Sequence, residues 1–367
     1  MLTIIGTESR LFLSLKTIAT LSLLFFLTAC SIPTREFSAY NNAFAETQKI
    51  GEQIVIDYSV AKKELAVLKR GKDEQAVRKS SFKSNQLLLS KVPIDDVAIR
   101  LAAWEVVGSY NKVLSNLIAG KPAQAESESK NILSSLLRLS AKALSTTASK
   151  LHPAAAALKA ILAEVEKGLE RRRIIKSMER ISPIISNGLI ANMKKDSELF
   201  YKVRYGLNNH RYQQLRFDIG RHIKAFVKLA NIMSVEARID IVHPMLKTLN
   251  ARMEKIAKSS TGRGFKPIKL RPKAGGSNGP IIISQLNTLK MQILILLDQA
   301  AQQNQALESY RETLTAYVRL LNQLDLHLKA LQQAATDGRS EQIELSNDFN
   351  TALIQMRQAH LYYQNSQ

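Results

Sequence analysis

From residue 286 to 335 the side chains that can line a core recur at strictly alternating steps of three and four. They are Leu286, Leu289, Ile293, Leu296, Ala300, Gln303, Leu307, Tyr310, Leu314, Tyr317, Leu321, Leu324, Leu328, Leu331 and Ala335. A helix gathers such positions on one side, whereas the period of two in a strand would scatter them. One helix over this span is about 75 Å long, so the chain must supply partners for a rod. Gln303 interrupts the apolar seam and is read as tolerated, not as a register device. Asp337-Gly338 ends the rod, and Ser340 with Glu341 opens another helix. Leu345, Phe349, Ala352, Met356, Ala359 and Tyr363 then repeat the steps, which predicts an αα-hairpin.

A second seam starts at Phe37 and runs through Tyr40, Phe44, Thr47, Gly51, Ile54, Tyr58, Ala61, Leu65 and Leu68. Gly71 and the polar stretch 72–83 are expected to interrupt it. Between the seams lie shorter helical segments. Pro93 with Asp95 opens one that closes at Gly120-Lys121-Pro122, and 123–151 forms another before Pro153 begins the next. Joints are expected at Ser182-Pro183 and Asn208-Asn209, and a kink or end at Pro244. Aromatics are only 6% of the chain, with 15 glycines and 9 prolines, and no run of alternating β-branched residues stands out beyond the short Ile281-Ile282-Ile283. The expected fold is therefore all-α: an elongated helical bundle with coiled-coil-like segments and a C-terminal αα-hairpin. The expected divisions are a helical body over 37–258, a Gly/Pro-rich basic linker or loop over 259–280, and a long helix with its antiparallel return over 281–367.

The net charge of +21 is concentrated: residues 171–273 hold 24 Lys and Arg against 7 Asp and Glu. Within them stand Arg171-Arg172-Arg173, Lys194-Lys195, the spaced series Arg211, Arg216, Arg221, Lys224 and Lys228, and the loop cations Arg263, Lys266, Lys269, Arg271 and Lys273. Such an excess draws anionic partners and speeds encounter at low salt. Tyr201, Tyr205, Tyr212 and Phe217 interleave with the cations, a pattern that in the cytosol would suggest nucleic acid.

The N-terminus argues for another compartment. Arg10 and Lys16 precede an uncharged run over 17–29, too short for a membrane-spanning helix, which needs roughly 20 residues. It ends in Leu27-Thr28-Ala29-Cys30, and Cys30 is the single cysteine of the chain. This tetrad resembles the lipobox of bacterial lipoproteins. The resemblance implies a signal peptide over 1–29, a diacylglycerol on the thiol of Cys30, and acylation of the new amine. Residues 30–36 then form a short tether. Ser31, in place of an aspartate, implies by the same resemblance an outer-membrane lipoprotein facing the periplasm or cell surface, or a membrane lipoprotein in a host with one membrane. The anions within reach are then lipid headgroups, lipopolysaccharide, peptidoglycan or an acidic protein, and nucleic acid is disfavoured.

No reaction chemistry is legible. The six histidines are scattered without metal-ligand spacing, no strand precedes the glycines of 262–279 as a phosphate loop requires, and no serine sits in a nucleophile elbow. No enzyme, cofactor or metal is expected. The leading expectation is a lipid-anchored helical scaffold or tether holding an anionic surface or acidic protein, with self-association through the seams open. The alternatives are a membrane-active toxin or exclusion protein, prompted by the apolar run 291–297, and a coiled-coil subunit of a secretion or transport assembly.

Overall fold

The computed structural model describes residues 34–79, 94–121, 123–128, 131–132, 134–135, 171–258, 265–270, 279–337 and 347–366. Its elements are helices α1 (Thr34–Lys79), α2 (Ile94–Ile118), α3 (Arg171–Pro183), α4 (Ala191–Asn231), α5 (His243–Ala257), α6 (Pro280–Asp337) and α7 (Asn347–Asn365). Two π-helical segments, Ile184–Ile190 and Arg238–Val242, lead into α4 and α5. No strand occurs among the described residues, so the fold is all-α.

The rod predicted from the C-terminal seam is α6, with 58 residues and a length of about 87 Å. Every one of its seam residues is buried except Leu289, Leu296 and Gln303, which are half-buried. The seam is filled from within the same chain, chiefly by α4 and α7. Both run antiparallel to α6. Asn208 of α4 donates to the Gln303 carbonyl at 2.6 Å, while Ser186 meets Asp325 further along. On α7, Thr313 donates to the Ala359 carbonyl at 3.0 Å and Tyr310 packs on Tyr363 at 4.9 Å. The hairpin is thus present, though its turn lies outside the described residues.

Helix α1 carries the second seam, buried from Tyr40 to Ala61. The helix itself continues through Gly71 to Lys79, past Leu68, the last residue of the apolar seam. Helix α2 packs against it so closely that Gly51 faces the indole of Trp104, which is fully buried. Helix α2 ends as its sequence predicts: Gly120 has φ +68, and Lys121 N–H closes on the Asn116 carbonyl at 2.8 Å. This is a terminus that glycine stabilises, because other residues resist positive φ. Arg100 of α2 clamps Asp196 of α4 through Nε and Nη2 at 2.7 and 2.8 Å, with its guanidinium over the rings of Tyr58 and Phe200.

Two expected joints are absent or altered. Helix α4 runs unbroken through Asn208-Asn209, because Asn208 turns inward to bond α6 instead of starting a turn. Pro183 ends α3, but the π-helical segment carries the helical path on into α4. Pro244 lies in the first turn of α5, where its missing N–H costs nothing.

These helices form two cores. One joins α1, α2, α3, α7, the first part of α4 and the second part of α6 into a base. The other joins the rest of α4, α5 and the start of α6 into a three-helix arm. Residues 265–270 belong to this arm: Ile268 is buried in it, and its N–H and carbonyl are both bonded by the Asn250 side chain, at 2.8 and 3.3 Å. That part of the Gly/Pro-rich stretch is stapled to the arm.

Candidate functional site

The cations predicted as one surface are divided by the fold. Helix α3, whose first residues are Arg171, Arg172 and Arg173, runs antiparallel to α6: Glu179 accepts from Thr336 at 3.3 Å, and Ser186 meets Asp325. The triplet therefore starts α3 at the base end, where α6 finishes. Helix α1 starts there too, since Tyr40 stacks on His327 at 5.5 Å and packs on Phe349. Lys194 is half-buried and Lys195 exposed, both beside the base core. Cys30, Arg263, Arg271 and Lys273 lie outside the described residues.

The remaining cations ride on the arm. Lys224 and Lys228 are exposed on α4, Lys247 on α5, and Lys266 and Lys269 on the stapled loop. Among the described residues no carboxylate pairs with any of these five. Others are engaged: Arg211 with Glu64 at 2.6 Å, Arg221 with Asp218 at 3.1 Å, and Arg252 Nε with Asp298 at 2.7 Å. Arg238 is buried and caps the end of α4, donating to the carbonyls of Ala230 and Asn231 at 3.0 and 2.6 Å. It sets the tight reversal into α5 at the arm's tip, with Ser234 accepting from Ala237 N–H. Of the interleaved aromatics, Tyr212 is core, Tyr201 half-buried, and Tyr205 and Phe217 exposed.

The arm also exposes apolar side chains that charge counting does not reveal. Ile281 is 72% exposed, Met291 55% and Ile295 53% on α6, and Ile232, Val235 and Ile239 are exposed around the reversal. Of the apolar run 291–297, only Ile293 and Leu297 are fully buried. Helix α6 is long and apolar enough over one 18-residue window to cross a membrane by length and composition alone, and only 17% of that window is buried.

A third feature lies at the waist between arm and base, and the sequence carried no signal for it. Arg204 of α4 is 7% exposed, over the rings of Tyr310 and Tyr363 at 5.9 and 5.3 Å. Burial pushes the Tyr363 phenol up to about 12, with the nearby guanidinium of Arg204 opposing. Burial also raises Asp57 and lowers His360. Its members come from α1, α4, α6 and α7, so no spacing along the chain could announce them. Among the described residues no group of three or more His, Cys, Asp or Glu is placed to hold a metal ion. An open groove between α4 and α6 is lined by Tyr201, Leu314 and Val318; of its charged side chains Lys202 pairs with Glu198, and Arg311 with Glu308 one turn away.

These features define an all-α elongated bundle with a cationic, partly apolar arm. No protein family, characterised protein or solved structure matches the chain.

Proposed function

We propose that this chain is a lipid-anchored, non-enzymatic tether of the bacterial envelope, acylated on Cys30 and presenting a cationic arm to an anionic surface. One observation carries the reading: the start of α1 and the tip of the arm lie at opposite ends of α6. His327, beside Tyr40, and Ile281, at the tip, are separated by about 70 Å of helix. Four residues from Cys30 to Thr34 reach at most about 14 Å, so the lipid belongs to the base end. Helix α3 brings Arg171, Arg172 and Arg173 to that same end, where a polybasic segment adds electrostatic attraction to an anchor already held by its acyl chains. The arm cations are then free for a different surface: the headgroups of another leaflet, lipopolysaccharide, peptidoglycan or an acidic protein. By its resemblance to the lipoprotein pattern, Ser31 favours the outer membrane as the anchoring site, facing the periplasm or the cell surface.

The test is capture by the acylated full chain in neutral proteoliposomes. Sacculi and anionic vesicles are offered as acceptors at low and high salt. Capture that fades with salt is expected, and capture that is absent or indifferent to salt overturns the electrostatic reading. Labelled palmitate that fails to enter the chain, or a Cys30→Ala variant equally membrane-bound, overturns the anchor. The exposed apolar side chains of the arm favour a second reading, a membrane-active protein, which predicts dye release from the acceptors; a tether predicts none. An assembly built on the heptad seams gains no support, because those faces are occupied within the chain.

A further inference from the structure

The arm's exposed surface has two components, and their arrangement narrows the partner. On α6, Ile281, Ser284, Thr288, Met291 and Ile295 follow one another at steps of three and four, and all five are exposed. They form one stripe opposite the buried Leu286, Ile293 and Leu297. The stripe has no charged member. Beyond it, at the reversal that ends the arm, Ile232, Val235 and Ile239 are exposed together. Behind this apolar tip stand Lys224, Lys228 and Lys247, one to three helical turns nearer the base. Glu236 and Asp240 are the acids of the tip, and Arg238 between them is committed to capping α4.

A purely electrostatic partner such as a polysaccharide has no use for isoleucines in water, and an apolar protein groove has no use for the lysines. A bilayer interface uses both: the apolar tip enters the headgroup–acyl boundary while lysine ammoniums remain at the phosphates. We infer that the arm tip is an interfacial insertion site for an anionic lipid bilayer. It takes Ile281, Val235 and Ile239 below the headgroups and pairs Lys224, Lys228 and Lys247 with lipid phosphates. The insertion is shallow, because α6 remains packed on α4 and α5 through its other face. This inference rests on the tether reading for the identity of the leaflet but not for the insertion itself.

The test uses the acylated full chain with a cysteine at position 281 (Ile281→Cys) carrying an environment-sensitive nitrobenzoxadiazole probe, and an Asn322→Cys control on the exposed face of the base. The chain is reconstituted in phosphatidylcholine vesicles and mixed with phosphatidylglycerol acceptors. A blue shift and intensity gain at 281, silence at 322, and capture of acceptors are expected. In unlabelled chain, Val235→Asp with Ile239→Asp should cut acceptor affinity about tenfold or more without altering the melting temperature, since both side chains are surface groups. Capture without a probe shift overturns the insertion and leaves the tether standing. A shift only when phosphatidylglycerol is placed in the protein's own vesicle upholds insertion and overturns the tether. An equal shift with phosphatidylcholine acceptors overturns the lysine–phosphate part. No shift with any vesicle overturns the inference.

Discussion

The contact between α1 and α2 supplies a prediction whose sign runs against helix propensity. An alanine is ordinarily better than a glycine inside a helix, by about 0.5–1 kcal/mol. At Gly51 a methyl group would lie 2.1 Å from Cζ2 and 2.3 Å from Cε2 of Trp104. Carbon atoms rest at about 3.5–4.0 Å, so helix or indole must retreat by roughly 1.5 Å. Trp104 has nowhere to go, being fully buried and packed against Tyr317. Overpacking of this kind costs about 1–3 kcal/mol, and the rigidity of the ring places Gly51→Ala near the top of that range. After subtracting the propensity gain, a loss of about 2 kcal/mol remains, which in a chain of this size lowers the melting temperature by about 3 °C. Gly220 sits in α4 with nothing within 4 Å of its would-be Cβ. Gly220→Ala should therefore stabilise by about 0.5–1 kcal/mol. Urea titrations followed by helical circular dichroism measure both. Trp104→Phe, which removes the ring atoms nearest the methyl, should relieve part of the Gly51→Ala cost, giving a coupling energy of about 1 kcal/mol in the double-mutant cycle. A Gly51→Ala protein at least as stable as the parent would show that α1 and α2 do not meet as described.

Arg100→Ala strands Asp196, whose carboxylate is 25% exposed, and should cost about 2–3 kcal/mol, below the full penalty of a dry ion pair because water still reaches it; chemical denaturation reads this, and Arg100→Ala with Asp196→Asn should cost less than the two singly. His360 has its pKa lowered, mainly by burial, with Asp57 opposing. Its folded state thus binds fewer protons than the unfolded chain, so its contribution is complete above the unfolded pKa of about 6.5 and is lost as pH falls below it, with a slope of at most about 1.4 kcal/mol per pH unit. Urea midpoints at about pH 7.5 and 5.5 should diverge less in His360→Gln than in the parent. Changing Lys224, Lys228 and Lys247 to Gln should weaken capture of anionic vesicles at low salt on the order of a hundredfold and leave the urea midpoint unmoved; the same change at Arg171, Arg172 and Arg173 should leave capture intact, because those residues start a helix at the other end.

The seams were legible because packing of a rod demands a strict period, and Tyr40 to Ala61 and Leu286 to Ala335 occupy the core as the spacing requires. The closing signal of α2 was equally plain, since a glycine followed by Lys121-Pro122 leaves few alternatives. Asn208-Asn209 misled because an asparagine pair favours turns only when its amides find local backbone; here one amide finds α6, ninety-five positions away. The charged stretch 171–273 looked like one site because its members are neighbours along the chain. Helices α3 and α4 each run lengthwise through the bundle, so nearness in sequence becomes separation in space, and the first cations part from the last.

Helix α6 contains its own comparison for the tip. In the base it is surrounded, and the residues it still exposes there include Arg311, Glu312, Thr315, Arg319, Asn322 and Lys329, with Leu326 the one large exposed apolar side chain. In the arm it has two main neighbours instead of several, so more of its circumference meets water. A helix adapted only to solubility would turn more polar where its partners thin out. The opposite occurs: Ile281, Met291 and Ile295 stand on the outer face of the less covered section. Single exposed apolar side chains are ordinary on any protein, but three on one stripe, joined by three more at the adjoining reversal and accompanied by lysines that no described carboxylate pairs, form a patch of the kind that marks an interaction surface, and it is from this patch that the interfacial insertion is inferred.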